Sequence, residues 1–547
     1  MTNEKTSASA RRPASTPPAR ILIADPLNDR GSAILKEGGL LTETHAGLKE
    51  DQLCEIIGGY DGLIVRSATT VTPKVIAAGK KLQVIGRAGV GVDNIDLKAA
   101  TQAGIVVQNT PLGNITSAAE HAIALLFSSV RNIPRADKEM KAGKWNKKGL
   151  TGVELTGKTI GIMGMGKVGG IVARVAKALS MTILVYDPYL TDRKAEELGV
   201  SKTDLDSLLQ QSDFVTVHSP LTAETKNLIN KDKLKLMKKS ARIINAARGG
   251  IINEADLFEA LKGGVIAGAA VDVFEAEPLA ADSPLRTLEN VVLTPHLGAS
   301  TEEAQERVAE DIARQFVEFF RDGVISNAVN LAVALDPKIA PYARLAEMLG
   351  SVSAQMVKDP VVHLKVGVYG KLAAGDIREL SLCALKGLLG RTTSSPVTLV
   401  NAPGIAEARG ITTSENKSEQ TRNYANLLVV AAETTGADGI SHEHTIAGTC
   451  FDGQDGRIVR INDFDIDLKP APVILLMFYP DRPGMVGKIG TILGEADINI
   501  ANMAVGRREK RGQAVIALTL DDHVPPEVLE RIRKAIQVDD LFAIRLP

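Results

Sequence analysis

The stretch "KTIGIMGMGKVGGIVARVAKAL", residues 158–179, decides the fold of the middle of this chain. An apolar run at 159–163 leads into a G-x-G-x-x-G turn made by Gly164, Gly166 and Gly169. Apolar residues then recur at the three- and four-residue spacing of a helix with one buried face. A strand, a glycine-rich turn and a helix in this order predict a dinucleotide-binding α/β domain.

The glycines and the next strand indicate which dinucleotide binds. Gly164 permits the tight turn, Gly166 lets the backbone approach a pyrophosphate, and Gly169 allows close packing of helix on strand. The following strand, "MTILVYD", ends at Asp187. A carboxylate there accepts hydrogen bonds from ribose hydroxyls and repels a 2′-phosphate, so the sequence predicts NAD rather than NADP.

Bulk composition excludes several classes of protein. The 547 residues, at roughly 150 per domain, predict three or four domains. The 64 Lys and Arg balance 65 Asp and Glu, which gives no electrostatic case for nucleic acid or an anionic membrane. Three well-separated cysteines and eight scattered histidines predict neither a disulfide framework nor a metal site.

The cellular location is predicted from the same features. Cysteines without paired spacing fit a reducing compartment. No apolar run approaches the roughly 18 residues of a membrane span. The first twenty residues are rich in Ser, Thr, Ala, Pro and Arg and contain no apolar h-region. We therefore expect a cytoplasmic protein with a flexible N-terminal tail and no membrane partner.

Three further stretches place reactive side chains at the ends of predicted strands. "INAARGGIINE" (244–254) carries Arg248, "GAAVDVFEAEPL" (268–279) carries Glu275 and Glu277, and "VVLTPHLGAS" (291–300) carries His296. In an open α/β sheet the ligand crevice lies outside the carboxyl ends of the strands. These side chains are therefore expected to converge on one cleft.

The middle of the chain resembles the D-isomer-specific 2-hydroxyacid dehydrogenases, through "GMGKVG", "NAARGG", "DVFEAEP" and "PHLGAS". The resemblance implies that Arg248, Glu277 and His296 are the catalytic residues. Arg248 would bind the substrate carboxylate, His296 would accept the hydroxyl proton, and Glu277 would orient the imidazole. Glu275 stays open as the alternative partner of the histidine.

The family resemblance also implies an NAD-binding domain inserted into a substrate-binding domain of flavodoxin-like fold, with a cleft that closes by a hinge. It extends the expected cofactor-binding set beyond the three glycines and Asp187. The further residues are Val90, Lys167, Val168, Ser219, Ala246, Ala247, Asp272 and Gly298. His121 and His218 are interpreted as structural or near-cofactor residues.

Two arginines indicate a second anionic group on the substrate. Arg66 in "GLIVRSAT" and Arg87 in "VIGRAGVGVDN" stand at predicted strand ends facing the cleft. A phosphate suits two additional guanidiniums. The alternative that either arginine forms an ion pair within the sheet stays open. Lys147, in "GKWNKKG", is a weaker phosphate candidate that would act across a dimer interface.

The segment "FYPDRPGMVGKIGTIL" (478–493) lies in a terminal stretch whose apolar pattern predicts a βαββαβ unit of ferredoxin-like type. This unit resembles an ACT domain, which implies binding of an amino acid between two copies. Tyr479, Asp481 and Asn499 would hold L-serine. The alternative for Asp481 and Asn499 is ordinary turn chemistry.

Residues 329–468, between the catalytic half and the terminal unit, resemble an intervening α+β domain, most clearly in "LVNAPGIAEARGI" (399–411). This resemblance implies a homotetramer. We therefore predict five parts. They are a flexible tail (1–19), a discontinuous substrate-binding domain (20–113 and 297–328), an NAD-binding domain (114–296), an intervening domain (329–468) and an ACT regulatory domain (469–547).

The resemblance to long members of the family implies NAD-dependent oxidation of 3-phospho-D-glycerate to 3-phosphohydroxypyruvate, the first step of the phosphorylated route to L-serine, with L-serine as a feedback effector. A hydroxypyruvate/glyoxylate reductase is the alternative enzyme, although such enzymes lack the C-terminal segments. A scaffold of the co-repressor type that senses NAD is the alternative from outside the enzymes. A metal hydrolase is disfavoured because no ligand cluster is present.

Overall fold

The computed structural model describes residues 17–333, 335–393, 396–421, 423–436, 439–538 and 540–546. The predicted tail therefore lies outside the described residues up to residue 16. Among the described residues, no helix combines the length and the apolar character that crossing a membrane requires.

The N-terminal part of the chain forms a parallel sheet in the order β2-β1-β3-β4-β5. This is the flavodoxin-like order predicted for the substrate-binding part. Its inner strands are short apolar runs buried on both faces, as a sheet covered by helices requires, whereas the edge strand β2 is polar and partly exposed. The elements are β1 (Arg20–Ile23), α1 (Asp29–Glu37), β2 (Leu41–Thr44), α2 (Glu50–Ile56), β3 (Gly62–Val65), α3 (Pro73–Ala78), β4 (Val84–Arg87), α4 (Leu97–Gln102) and β5 (Val106–Asn109).

A second parallel sheet follows in the order β12-β11-β10-β9-β6-β7-β8, which is the Rossmann arrangement extended by one strand. The helix α5 leads into it and packs against α7. The elements are α5 (Ile115–Val130), α6 (Ile133–Lys141), β6 (Thr159–Met163), α7 (Lys167–Ala178), β7 (Thr182–Tyr186), α8 (Asp192–Leu198), β8 (Ser201–Lys202), α9 (Leu205–Gln211), β9 (Phe214–Val217), α10 (Lys231–Leu236), β10 (Arg242–Asn245), α11 (Glu254–Lys262), β11 (Gly268–Val271) and β12 (Val291–Leu293).

The helix α12 (Glu302–Asp322) carries the chain back to the first sheet. It begins where the Thr301 side chain accepts the N–H of Ala304 and ends at Gly323, whose φ is +67°. Phe316 on this helix is fully buried against β3 and β4. A Cβ at Gly86 would lie 2.4 Å from its ring, so glycine makes room for the aromatic side chain. Replacing Phe316 by alanine would cost about 3–5 kcal/mol.

The last two sheets share one hydrophobic core. The intervening sheet has the order β14-β13-β15-β16-β17-β18, and the terminal sheet is antiparallel in the order β20-β21-β19-β22. The elements are α13 (Ala340–Met356), β13 (Val361–Gly370), α14 (Arg378–Leu389), α15 (Ala402–Ala408), β14 (Thr412–Ser418), β15 (Asn426–Thr435), β16 (Ser441–Phe451), β17 (Asp455–Ile461), β18 (Phe464–Leu468), β19 (Val473–Pro480), α16 (Met485–Glu495), β20 (Ile500–Arg507), β21 (Gln513–Leu520), α17 (Pro526–Ile536) and β22 (Asp540–Arg545).

The terminal βαββαβ order is confirmed, but the unit does not stand alone. Alternate residues of β19 point to opposite faces of the sheet. Leu475 and Met477 pack under α16 and α17, whereas Ile474 and Leu476 pack against the intervening domain. The two C-terminal domains are therefore packed together along one face of the terminal sheet.

Candidate active site

A cavity of about 930 Å³ lies at the carboxyl ends of the two parallel sheets. Arg66 and Arg87 reach it from the first sheet, and Glu277 and His296 reach it from the second. Within each sheet, side chains just beyond parallel strands share one edge, and the edges of the two sheets border this cavity. The cavity is large enough for a small metabolite.

His296 and Glu277 form a hydrogen-bonded pair. The Nδ1 of His296 lies 2.7 Å from Oε2 of Glu277, and Oε1 of Glu277 accepts the Phe274 N–H at 3.0 Å. Burial alone would raise the pKa of the Glu277 carboxyl, but the hydrogen bonds from His296 and from the Phe274 N–H outweigh it and hold that pKa below its ordinary value. The carboxylate is thus ionised at neutral pH, and the imidazole, 41% exposed, keeps its Nε2 side open to the cleft.

The backbone of His296 is held in an unusual conformation. Its φ is +55°, a left-handed value that is costly for a residue other than glycine. Its N–H donates to the carbonyl oxygen of Asp272 at 2.8 Å. The surrounding loop therefore fixes the direction of the imidazole.

Glu275, the alternative partner, lies elsewhere. Its Oε1 accepts the N–H of Glu254 at 3.1 Å, and the Glu254 carboxylate in turn accepts the N–H of Glu275. Glu275 therefore binds at the start of α11, and the structure brings Glu277 alone of the two to His296.

Asp272 organises the loop that carries the histidine. Its buried carboxylate accepts the N–H groups of Leu297 and Gly298 at 2.8 and 3.0 Å and the hydroxyl of Thr294, and it lies 3.0 Å from His121 Nε2. Burial works to raise the pKa of Asp272, but these hydrogen bonds, led by His121, lower it. Asp272 exposes no surface and holds the loop that carries His296, and its predicted contact with the cofactor stays a prediction.

The glycine turn fits a dinucleotide. Gly164 has φ +94°, and a Cβ there would lie 2.8 Å from the carbonyl oxygen of His218. A Cβ at Gly169 would lie 2.1 Å from the carbonyl oxygen of Gly164, whereas one at Gly166 would meet nothing within 4 Å. The helix α7 begins at Lys167 and Val168 with no side-chain cap, so its first N–H groups face outward from an open turn. The residues present therefore fit a bound pyrophosphate.

Asp187 and Ser219 supply the polar atoms around this turn. Asp187 accepts the N–H of Met165 at 2.7 Å and that of Tyr189 at 2.8 Å, which fixes the carboxylate beside the turn with lone pairs left for ribose hydroxyls. The Oγ of Ser219 is buried without a partner among the described residues, as expected of a group that awaits a ligand. His218 bonds Thr216 at 2.9 Å, and burial lowers its pKa to about 4.

The other predicted cofactor residues lie around the same cleft. Val90 follows β4 and accepts a hydrogen bond from Asn109, Ala246 and Ala247 follow β10, and Gly298 follows the histidine. Their contacts with NAD stay predictions.

Arg87 is a half-buried guanidinium that forms no ion pair with the described residues, although Asp93 and Asp25 are near enough to raise its pKa. Its Nε has no partner among the described residues, and Nη1 reaches only the Ala88 carbonyl oxygen at 3.4 Å. Burial first, and then the neighbouring Arg248 and Arg66, lower its pKa to about 10. Arg66 bonds the Pro26 carbonyl oxygen at 3.3 Å. Neither arginine forms an ion pair within the described part of the sheet, which disfavours that alternative.

Arg248 has a partner that sequence reasoning missed. Its Nε donates to Oδ2 of Asp93 at 3.0 Å, and its Nη1 donates to the Ala247 carbonyl oxygen at 2.6 Å. Asp93 lies in the motif "VIGRAGVGVDN". An acidic residue close to two glycines in that motif is the feature of the sequence that could have identified Asp93 as a functional residue. Lys147 is exposed and does not line the cavity.

The predicted regulatory residues are not brought together within one chain. Tyr479 is buried beneath α16 and α17, and burial raises the pKa of its hydroxyl, so its assignment as a ligand contact stays a prediction. Asp481, just after β19, and Asn499, just before β20, lie at opposite ends of the sheet, since Pro480 pairs with Gln513 and Ile500 pairs with Leu520. Seven residues of strand separate them by roughly 23 Å.

The half-buried Asp481 and the exposed Asn499 are each bonded locally. Oδ2 of Asp481 accepts from Arg507 at 3.4 Å, and Nδ2 of Asn499 donates to Asp521 at 2.7 Å. The two can meet at one ligand only if they come from two copies of the chain.

Comparisons with known proteins agree with this geometry. Residues 123–298 match the model of the D-isomer specific 2-hydroxyacid dehydrogenase NAD binding domain, 338–462 match the D-3-phosphoglycerate dehydrogenase intervening domain, and 473–537 match the ACT domain. The resemblance inferred from the sequence is confirmed.

Relatives of known name cover nearly the whole chain. D-3-phosphoglycerate dehydrogenase of Archaeoglobus fulgidus is 42% identical over 96% of this chain and 100% of its own, and that of Synechocystis sp. is 43% identical over 96% and 95%. A crystal structure of a glyoxylate reductase from Paecilomyes thermophila is 28% identical with a TM-score of 0.53, but it covers 57% of this chain and 99% of its own. The chain therefore belongs to the D-3-phosphoglycerate dehydrogenase family.

Proposed function

We propose that this protein oxidises 3-phospho-D-glycerate to 3-phosphohydroxypyruvate with NAD, as the first step of the phosphorylated route to L-serine. The observation that carries the proposal is one cleft in which the His296–Glu277 pair faces Arg66 and Arg87, with Arg248 close by. The relatives that match along the full chain bear the corresponding name.

The residues divide the chemistry among them. Arg248 binds the substrate carboxylate, and Nε2 of His296 accepts the proton of the C2 hydroxyl as the C2 hydride departs. Glu277 holds the Nδ1 hydrogen and stabilises the imidazolium that forms. Bound NAD supplies the hydride acceptor.

The two remaining arginines bind the phosphate. A partly buried guanidinium whose Nε has no partner among the described residues is unfavourable, and an arriving phosphate supplies a close negative charge and acceptor oxygens. An unphosphorylated hydroxy acid would leave Arg87 unpaired. This difference in the pairing of Arg87 favours a phosphorylated substrate over the unphosphorylated substrate of a hydroxypyruvate/glyoxylate reductase.

The alternatives explain less of the molecule. The glyoxylate reductase structure covers only 57% of this chain, so a reductase does not account for the C-terminal domains. A scaffold that senses NAD has no need for a histidine–carboxylate pair directed at the cavity. Neither alternative is favoured.

Assembly, regulation and location complete the proposal. Ile133 and Met140 on α6 and Trp145 beyond it are exposed, as are Met503 and Val505 on the edge strand β20. Two such apolar surfaces support a homotetramer, with the terminal domains paired so that L-serine binds between Asp481 of one copy and Asn499 of another. The unpaired cysteines support a cytoplasmic location.

The test is NADH formation from 3-phosphoglycerate and NAD at alkaline pH, with and without L-serine. Turnover that L-serine suppresses is the expected result. Turnover indifferent to L-serine would remove the effector from the proposal and keep the reaction. Reduction of unphosphorylated hydroxypyruvate, with no turnover of 3-phosphoglycerate, would favour the reductase instead.

A further inference from the structure

The loop of residues 89–93, which follows β4, lies against the guanidiniums of two arginines. A Cβ at Gly89, whose φ is +152°, would lie 1.3 Å from Nη1 of Arg87. A Cβ at Gly91 would lie 2.0 Å from Nη2 of Arg248. The absence of side chains at these two positions therefore leaves the room that both cationic groups occupy.

Gly91 provides space rather than conformational freedom. Its backbone is outside the left-handed region, so any residue could adopt it. The same imaginary Cβ would also lie 2.8 Å from Oδ2 of Asp93. A side chain at position 91 would thus displace both members of the Arg248–Asp93 pair.

The Arg248–Asp93 pair crosses the cleft between the two sheets. Asp93 belongs to the loop after β4 of the first sheet, and Arg248 follows β10 of the second. With Nε bound to Asp93 and Nη1 bound to the Ala247 carbonyl oxygen, the guanidinium plane is fixed at two points. A guanidinium fixed in this way loses less freedom when it binds a carboxylate.

We propose that Asp93 is a positioning residue that aims Arg248 at the substrate carboxylate, and that Gly91 keeps open the space in which this pair forms. Asp93 acts through Arg248 and does not touch the substrate. The inference rests on the proposed function, because it assigns Arg248 to the carboxylate of that substrate.

Three substitutions separate positioning from a pure charge effect. Asp93→Ala removes the acceptor, so the KM for 3-phosphoglycerate rises about tenfold, as expected for the loss of one charge-assisted hydrogen bond. The KM for NAD stays the same. Asp93→Asn keeps a neutral acceptor oxygen and restores the KM to within about threefold of the parent. Gly91→Ala raises the KM at least as much as Asp93→Ala, and its melting temperature checks that it folds.

The deciding experiment is a double-mutant cycle with Arg248→Lys. Coupling through Arg248 predicts that Asp93→Ala changes the KM in the parent but not in the Arg248→Lys background. An equal effect in both backgrounds, or a KM that falls in both Asp93→Asn and Asp93→Ala, would overturn the positioning role. Asp51→Ala, which removes an exposed carboxylate paired with Lys74 in the same domain, is the matched control and leaves the KM unchanged.

The activity of the parent protein distinguishes a failure of the proposed function from a failure of the inference about Asp93. Absence of turnover of 3-phosphoglycerate by the parent would contradict the proposed function. Turnover by the parent with no coupling between Asp93 and Arg248 would contradict only the inference about the loop.

Discussion

The catalytic cleft and the terminal domain place their motif residues in opposite ways. Within each parallel sheet the strands end at one edge, and the two edges border one cavity that both Arg87 and His296 line. In the antiparallel terminal sheet, Asp481 and Asn499 lie at opposite ends. A parallel sheet assembles a site within one chain, whereas the terminal sheet needs a second copy to do so.

The largest expected effect comes from the centre of the cleft. His296→Ala removes the proton acceptor, so kcat should fall about 10²- to 10⁴-fold with little change in the KM for NAD. Steady-state kinetics with 3-phosphoglycerate measure this fall in kcat. Turnover close to the parent value would show that the parallel-sheet edge does not assemble the catalytic base. His45→Ala, at an exposed position of the first domain, is the control.

The next effect separates substrate binding from chemistry. Arg87→Ala removes the half-buried guanidinium, so the KM for 3-phosphoglycerate should rise about 10- to 100-fold, as expected for one lost charge-assisted contact. Activity on an unphosphorylated hydroxy acid should stay within a few-fold. Arg193→Ala, at an exposed site on α8, should change neither. Equal losses on both substrates would assign Arg87 to the fold instead of the phosphate.

The terminal domain is tested by mixing two variants. Asp481→Ala and Asn499→Ala should each weaken inhibition by L-serine about tenfold or more. If the site forms between two copies, oligomers reconstituted from both variants contain one intact site per mixed pair and recover part of the inhibition. Failure to recover any inhibition would contradict a site shared between two copies. Lys534→Ala, at an exposed site on α17, serves as the control and should respond to L-serine like the parent.

The smallest effect is on acid stability. Asp272 has a lowered pKa in the folded protein, so its contribution to stability is present above its ordinary value of about 3.9 and is lost as the pH falls through the lower folded value. Below about pH 5 the parent should therefore lose melting temperature more steeply than Asp272→Asn. Asp137→Asn, at an exposed site on α6, should follow the parent. If the melting temperatures of the parent and of Asp272→Asn fell with pH at the same slope, the link between the pKa of Asp272 and stability would be contradicted.

Sequence reasoning succeeded where one strand or turn carries the signal. The 164–169 turn predicted the dinucleotide fold, and the strand ends at Arg248, Glu277 and His296 predicted the cleft. Such features depend on local spacing in the sequence. Because the carboxyl ends of parallel strands share one edge of a sheet, their positions also predict that these residues lie near one cleft.

Burial and strand register could not be predicted from the sequence. Alternation along β19 places the Tyr479 side chain in the core of the terminal domain. The loop that carries His296 encloses the Asp272 side chain. Asp93 was overlooked because its partner Arg248 lies in the other domain. These outcomes depend on contacts between distant segments, which a single sequence does not display.

Binding of the substrate phosphate by Arg87 is tested by the ratio of kcat/KM for 3-phosphoglycerate to that for glycerate, which lacks the phosphate, in the parent protein and in Arg87→Ala. We expect the parent to prefer the phosphorylated acid by about 10²-fold or more and the variant to lose most of this preference, because the Nε of Arg87 has no partner among the described residues. Equal use of both acids by the parent, or a preference that Arg87→Ala leaves intact, would contradict binding of the phosphate by Arg87.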